Sequence, residues 1–69
     1  MKVSARNVIQ GKVTEVKKGA TTSHVSIEVA PNFVITASIT NESVEELGLA
    51  AGKQAFAVIK SSDVIVAVA

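Results

Sequence analysis

Residues 23–39 read SHVSIEVAPNFVITASI, and this stretch decides the fold. Apolar and polar residues alternate along Ser23–Ala30, which is the pattern of a β-strand with one face in a core. Pro31-Asn32 then predicts a tight turn, and Phe33–Ile39 alternates again. The stretch therefore predicts a β-hairpin. The side chains expected to face the core from its second strand are Phe33, Ile35, Ala37 and Ile39.

A first strand is predicted before the hairpin, over Val8–Lys17. Its alternation shifts at Val16, which predicts a bulge, and Gly11 is suited to a close approach of another backbone. A turn should follow, in which we expect Gly19 to supply a positive φ.

After the hairpin, Val44 and Leu47 fall at helical spacing and predict one short helix of at most two turns. Thr40 or Asn41 is its expected N-cap, and Gly48 should end it. Two more strands are predicted beyond the helix, and both are apolar on their two faces. They cover Lys53–Lys60 and Val64–Val68.

The composition supports an all-β protein made of a single domain, residues 1–69. The chain has 12 Val and 6 Ile but only 2 Leu, and β-branched side chains favour strands over helices. A domain of this size has a marginal core, and without cysteine it has no disulfide to compensate. Strands with two apolar faces also need cover. We therefore expect several copies of the chain to associate.

Charge and residue types exclude several functions. The net charge of +1 is too balanced for a protein that neutralises many phosphates of a nucleic acid. With a single histidine, His24, no cysteine and scattered carboxylates, we expect neither catalysis nor a metal site. No apolar run is long enough to span a membrane, and none follows Met1-Lys2 as in a secretion signal. We expect a cytoplasmic protein that is not an enzyme.

Three short segments combine hydroxyl groups with cations or with free backbone amides: SARN at 4–7, TNES at 40–43 and KSS at 60–62. The first turn of a helix has unpaired N–H groups and carries the positive end of the helix dipole. Arg6 can make forked contacts, and Lys60 supplies a point charge. These groups are complementary to a small oxyanion. Each segment alone is equally well explained as a helix cap, a strand end or a surface cation.

The segments SARN at 4–7, ITNESVEELGLAAGK at 39–53 and AVIKSSDVIVAV at 57–68 together resemble the molbindin family. These are small proteins of the molybdenum-pterin-binding type, and the same unit forms the TOBE domains of larger regulators and transporter ATPases. The resemblance covers Lys2 to Val68. It implies an OB-like five-stranded β-barrel with one short helix, assembled as a homohexamer, a trimer of dimers. It also implies a cytoplasmic store of molybdenum.

The resemblance further implies that molybdate or tungstate is held between subunits as a ligand, with no cofactor. The main site would consist of Ser4, Ala5, Arg6, Thr40, Ser43, Lys60 and Ser61, contributed by different protomers. A second, weaker site is implied near a symmetry axis, at Gly19, Thr22, Ser23 and His24.

Two other functions remain open at this stage. One is an OB-type nucleic-acid-binding module, which usually needs aromatic residues on a basic face. Phe33 and Phe56 are the only aromatic residues here, and both fall at apolar positions. The other is an oligomerisation module without a ligand. The joint presence of the oxyanion-site residues argues against that function.

Overall fold

The computed structural model of the chain describes all of residues 1–69. It contains four strands, one α-helix and a short 3-10 turn, and the strands form one antiparallel sheet in the order β3-β2-β1-β4. The prediction of an all-β domain with one short helix is confirmed. The elements are β1 (Asn7–Lys18), β2 (Thr22–Ala30), β3 (Phe33–Thr40), α1 (Asn41–Leu47), β4 (Gln54–Ile59) and the 3-10 turn (Ser61–Asp63).

The hairpin of β2 and β3 forms as the alternation predicts, with Val25 opposite Ala37 and Ile27 opposite Ile35. Asn32 adopts a left-handed conformation, φ 61°, in the tight turn between the strands. The prediction that Phe33 faces the core is wrong, because this ring is 57% exposed. Phe33 pairs with the exposed Ala30 at the end of the hairpin, where no neighbouring side chain can cover it.

β1 is the central strand of the sheet, since it pairs with β2 along one edge and with β4 along the other. The predicted bulge lies between Val13 and Glu15, slightly earlier than expected. Gly11 lies close to the backbone of β2, as predicted: a Cβ at Gly11 would lie 2.6 Å from the carbonyl oxygen of Glu28. The long strand therefore bends at a place where only glycine fits.

The turn after β1 forms without the predicted positive φ at Gly19, so that prediction is wrong. Only Gly48 and Gly52 have positive φ among the glycines. The Gly19 N–H instead donates to the Thr22 carbonyl at 2.8 Å. A Cβ at Gly19 would lie 2.7 Å from that same oxygen. Glycine is needed here because the turn closes tightly on itself.

Helix α1 is closed at both ends by side chains and backbone. Thr40 is the N-cap, and Gly48 ends the helix in the left-handed region, φ 62°. The Lys53 Nζ reaches back to donate to the carbonyl oxygens of Leu47, at 2.7 Å, and of Gly48, at 3.3 Å. The short helix thus has a fixed position at the end of β3 although none of its residues is fully buried.

The core is small, because only 5 of the 69 residues are buried. They are Val13, Val25, Ile27, Ala57 and the polar Ser23. Apolar side chains of β3, β4 and α1 surround them but stay partly exposed. The inner face of the sheet consequently remains open as an apolar groove of about 650 Å³, for which 13 of 16 lining residues are hydrophobic.

The predicted fifth strand, Val64–Val68, does not form within the protomer, so a single chain has an open sheet and not a closed five-stranded barrel. After the 3-10 turn the chain leaves the sheet and pairs with neither of its free edges, β3 and β4. Ile65, Val66 and Val68 are 92%, 86% and 93% exposed. An apolar segment and an apolar groove therefore both lack cover in one copy.

We expect Gly11→Ala to lower the free energy of unfolding by about 1–3 kcal/mol, because the added methyl would overlap the Glu28 carbonyl and the Ile27 side chain. Thermal or urea unfolding followed by circular dichroism measures the change. Gln10→Ala, on the exposed face of the same strand, is the control and should unfold like the original protein. Equal stability of the two variants would contradict the close approach.

Candidate functional site

Strands β1 and β4 bring two of the three donor-rich segments together. Asn7 pairs with Ile59, and its side-chain Nδ2 donates to the Ile59 carbonyl at 3.2 Å. Arg6 precedes Asn7 and Lys60 follows Ile59, so the two cationic residues come next in register beyond the last pair of these antiparallel strands, at one end of the sheet. We call this group the N-terminal cluster. It comprises Ser4, Ala5, Arg6, Lys60 and Ser61.

The side chains of the N-terminal cluster are available to a ligand. All of its members are exposed except Ala5, which is half-buried. Neither the Arg6 guanidinium nor the Lys60 ammonium donates a hydrogen bond within the protomer. The cluster therefore presents two cations and two hydroxyl groups to solvent, and such groups bind anions through charge-assisted hydrogen bonds.

The third segment forms a helix-start cluster, Thr40 and Ser43, at the first turn of α1. The Ser43 N–H donates to Thr40 Oγ1 at 3.0 Å, and the Thr40 hydroxyl donates to Ser43 Oγ at 2.8 Å. The Ser43 hydroxyl hydrogen therefore points away from Thr40. The Asn41 N–H is also used, because it donates to the Thr21 carbonyl. This leaves the Glu42 N–H and the Ser43 hydroxyl as donors for a ligand.

The two clusters lie at opposite ends of β1. Thr40 pairs with Thr22 of β2, and Ser23, the residue after Thr22, pairs with Lys18 at the end of β1. Thr40 therefore lies near the end of β1. Arg6, by contrast, directly precedes the start of this 12-residue strand. One protomer brings Arg6 and Lys60 together but keeps Thr40 apart from both.

A second group of donors surrounds a small polar cavity beside the turn after β1. Gly19, Thr22 and His24 line this cavity of about 210 Å³ together with Lys17 and Lys18, and no apolar residue takes part. The sequence interpretation included Ser23 and missed both lysines. The Ser23 side chain is buried and hydrogen-bonds Asn41. The basic pair directly before the turn was the feature that could have indicated Lys17 and Lys18.

Other kinds of site are not formed by the described residues. No group of three or more His, Cys, Asp or Glu side chains is placed to hold a metal ion. The helices are all too short or too polar to cross a membrane. The donor clusters are thus the chemically distinctive feature of the surface, and they are suited to holding an anion rather than to moving protons or electrons.

Comparison with known proteins identifies close relatives. A family model described as "TOBE domain" matches residues 3–66. The molybdenum-pterin-binding protein 1 of Clostridium pasteurianum is 48% identical over 66 residues, which are 96% of this chain and 97% of that protein.

Solved structures match over the same length. A molybdate-binding protein from Sporomusa ovata superposes with a TM-score of 0.90 at 30% identity, over 97% of this chain and 98% of that one. The cytoplasmic molybdate-binding protein ModG, in a form with molybdate bound, gives a TM-score of 0.89 at 42% identity. The match covers 94% of this chain and 46% of ModG. Fold and sequence therefore agree on one family.

We expect Thr40→Ala to lower the free energy of unfolding by about 0.5–2 kcal/mol, because the Ser43 N–H loses the side chain that caps the helix. Chemical denaturation measures the loss. Thr40→Ser keeps the capping hydroxyl and should retain most of the stability. If Thr40→Ser were as unstable as Thr40→Ala, the cap would not explain the effect.

Proposed function

The chain belongs to the TOBE domain family, and from that premise we propose that it binds molybdate or tungstate reversibly, without converting it chemically. Relatives matching over nearly their whole length are molybdenum-pterin-binding proteins, and structural neighbours are molybdate-binding proteins. The family binds molybdenum and is not a family of enzymes. The observation that carries the proposal is the pairing of Asn7 with Ile59, which sets Arg6 beside Lys60.

The chemistry of the clusters fits molybdate better than phosphate. Molybdate is a tetrahedral dianion whose oxygens only accept hydrogen bonds, and the clusters offer cations, hydroxyl groups and an amide N–H. Hydrogen phosphate carries a proton, for which the proposed lining offers serine and threonine hydroxyl oxygens as acceptors but no carboxylate. Sulfate is also fully deprotonated, so size must separate it from molybdate. Tungstate has the same charge and shape as molybdate, and the proposed lining treats the two alike.

The main site is proposed to lie between two copies of the chain. The N-terminal cluster of one protomer would face the helix-start cluster of its neighbour, since a single protomer holds the two groups at opposite ends of β1. Each copy would contribute to two sites in this way. The complete lining comprises Ser4, Ala5, Arg6, Thr40, Ser43, Lys60 and Ser61.

The open groove and the exposed carboxyl-terminal segment support assembly. Val64–Val68 is apolar and exposed, and the groove on the inner face of the sheet is apolar and open. In the proposed dimer, this segment of one copy joins the sheet of the other as its fifth strand and closes an OB-like barrel. Exchange of segments covers two grooves at once.

A second apolar surface supports a larger assembly. Val8 pairs with Val58 and Gln10 with Phe56 on the outer face of β1 and β4, and the three apolar side chains are 40–47% exposed. An exposed patch of this kind is typical of an interface. Phe56 and Val58 also line the groove, so the two apolar surfaces meet along β4 and together permit two kinds of contact, as a homohexamer built as a trimer of dimers requires.

The polar cavity at Gly19, Thr22 and His24, with Lys17 and Lys18, is proposed as the second and weaker oxyanion site. Its donors are two ammonium groups, an imidazole and a hydroxyl. With both kinds of site, the assembly would store and buffer molybdenum in the cytoplasm.

The alternative of an OB-type nucleic-acid-binding module has less support. Phe33 and Phe56 lie on opposite edge strands of the sheet, so they do not form one stacking platform. The net charge of +1 provides little attraction for a phosphate backbone. Addition of single-stranded oligonucleotide is therefore a useful negative control for the titrations below.

We expect Arg6→Ala and Lys60→Ala each to weaken molybdate binding roughly 10- to 150-fold, because a hydrogen bond to a charged group is worth about 1.5–3 kcal/mol. Calorimetric titration with molybdate, tungstate, sulfate and phosphate measures the effect and the selectivity. Lys12→Ala removes the same charge from the middle of β1 and should leave the affinity unchanged. Equal affinity for phosphate and molybdate at pH 7 would contradict the proposed preference for a fully deprotonated ion.

We expect Ile65→Asp or Val66→Asp, whichever side chain faces the partner's groove, to break the assembly, because a buried unpaired carboxylate is strongly unfavourable. Sedimentation velocity measures the size of the particles. Both residues are almost fully exposed in a lone protomer, so neither change should disturb its own sheet. Glu15→Lys, a charge change at an exposed residue of β1 outside the proposed sites, is the control. If both variants sediment like the original protein, the segment takes no part in assembly.

A further inference from the structure

The turn between β1 and β2 is held by one residue of the helix start, Asn41. Its side-chain Nδ2 donates to the carbonyl oxygens of Gly19, at 3.1 Å, and Ala20, at 3.3 Å. Its backbone N–H donates to the next carbonyl, that of Thr21, at 2.9 Å. Three consecutive carbonyls of the turn therefore have donors from a single residue, which directly follows Thr40.

The same side chain is fixed from its other side. The Ser23 hydroxyl donates to Asn41 Oδ1, and Ser23 is the only buried polar residue of the chain, with 1% of its surface exposed. A buried hydroxyl without a partner would be costly, so this bond sets the orientation of the amide. Asn41 is thus oriented by the core and connects it to both the turn and the helix.

We infer that Asn41 is a positioning residue for the main oxyanion site. By fixing the first turn of α1 to the β1–β2 turn, it holds Thr40 and Ser43 where their donors can meet the ligand. This inference rests on the proposed function. Asn41 itself has its polar groups engaged within the protomer, so it acts through its neighbours and contributes no contact to the ligand.

Positioning matters here because α1 is short, and its other contacts are the packing of Val44 against the core and the Lys53 bonds at the opposite end of the helix. The helix has seven residues, none of them fully buried, and short helices are marginal without tertiary contacts. A first turn that moved freely would have to be ordered when the anion binds, at a cost in affinity. The Asn41 bonds meet that ordering cost in advance, during folding.

The test compares Asn41→Ala with Asn41→Asp. Alanine removes the two bonds to the turn carbonyls and the bond accepted from Ser23, without adding charge. Aspartate keeps the oxygen that accepts from Ser23 but places an oxygen against the Gly19 and Ala20 carbonyls. We expect each variant to raise the dissociation constant for molybdate roughly 5- to 20-fold, the effect of losing two weak hydrogen bonds. A loss with aspartate alone would show charge repulsion and would overturn the inference.

Amide hydrogen exchange provides the readout that a general loss of stability would not give. In ligand-free Asn41→Ala, exchange should accelerate at Ser43 and Val44 but stay slow at Val25 and Ile27 in the core. Saturating molybdate should restore much of the protection at the helix start. Faster exchange spread evenly along the chain would mean simple destabilisation and would overturn the positioning role.

Glu46→Ala is the matched control on the same helix, because this exposed side chain makes no hydrogen bond. It should bind molybdate like the original protein. Failure of the original protein to bind molybdate would refute the proposed function itself. Unchanged affinity in Asn41→Ala, with normal binding by the original protein, would refute only the inference about Asn41.

Discussion

The structure depends on one constraint: a single chain has more apolar strand surface than it can cover. The sheet has an apolar inner face, yet only five residues are buried, and the groove above them stays open. A chain of 69 residues has no second layer to place there. Its remaining apolar segment, Val64–Val68, lies away from the sheet. In the proposed assembly, a second copy supplies the cover that a single chain lacks.

This constraint also explains where a ligand site can lie. In an antiparallel sheet the two ends of the central strand are far apart, so Arg6 and Thr40 cannot serve one small ion within one copy. Docking of copies along the open groove would bring the N-terminal cluster of one copy next to the helix-start cluster of another. Binding at such a seam favours the assembled state by mass action, and assembly in turn creates the site. Storage of an oxyanion and stability of the particle then become linked.

The sequence was most informative where local rules and the fold agree. Alternation predicted the hairpin, and the capping rules predicted Thr40 and Gly48. Predictions were wrong where the structure of a segment depends on which other parts of the fold lie next to it. Phe33 has the right spacing for the core but is largely exposed, and Val64–Val68 has strand composition but pairs with neither free edge, β3 or β4, of its own sheet. The clustering of Arg6 with Lys60 needed the β1–β4 pairing, which sequence spacing does not reveal.

The role of Asn41 could not be read from the sequence for a related reason. Asparagine before a helix is ordinarily a cap, and here the cap is the preceding Thr40. Only the pairing of β3 with β2, which sets Thr40 opposite Thr22, brings three carbonyls of the β1–β2 turn within reach of the Asn41 donors. Ser23 is a buried polar residue among apolar ones, and its hydrogen bond to the Asn41 side chain explains its position. A polar group inside so small a core is costly. Ser23 is tolerated there because, through Asn41, it fixes the first turn of the only helix, which carries the donors Thr40 and Ser43 of the proposed oxyanion site.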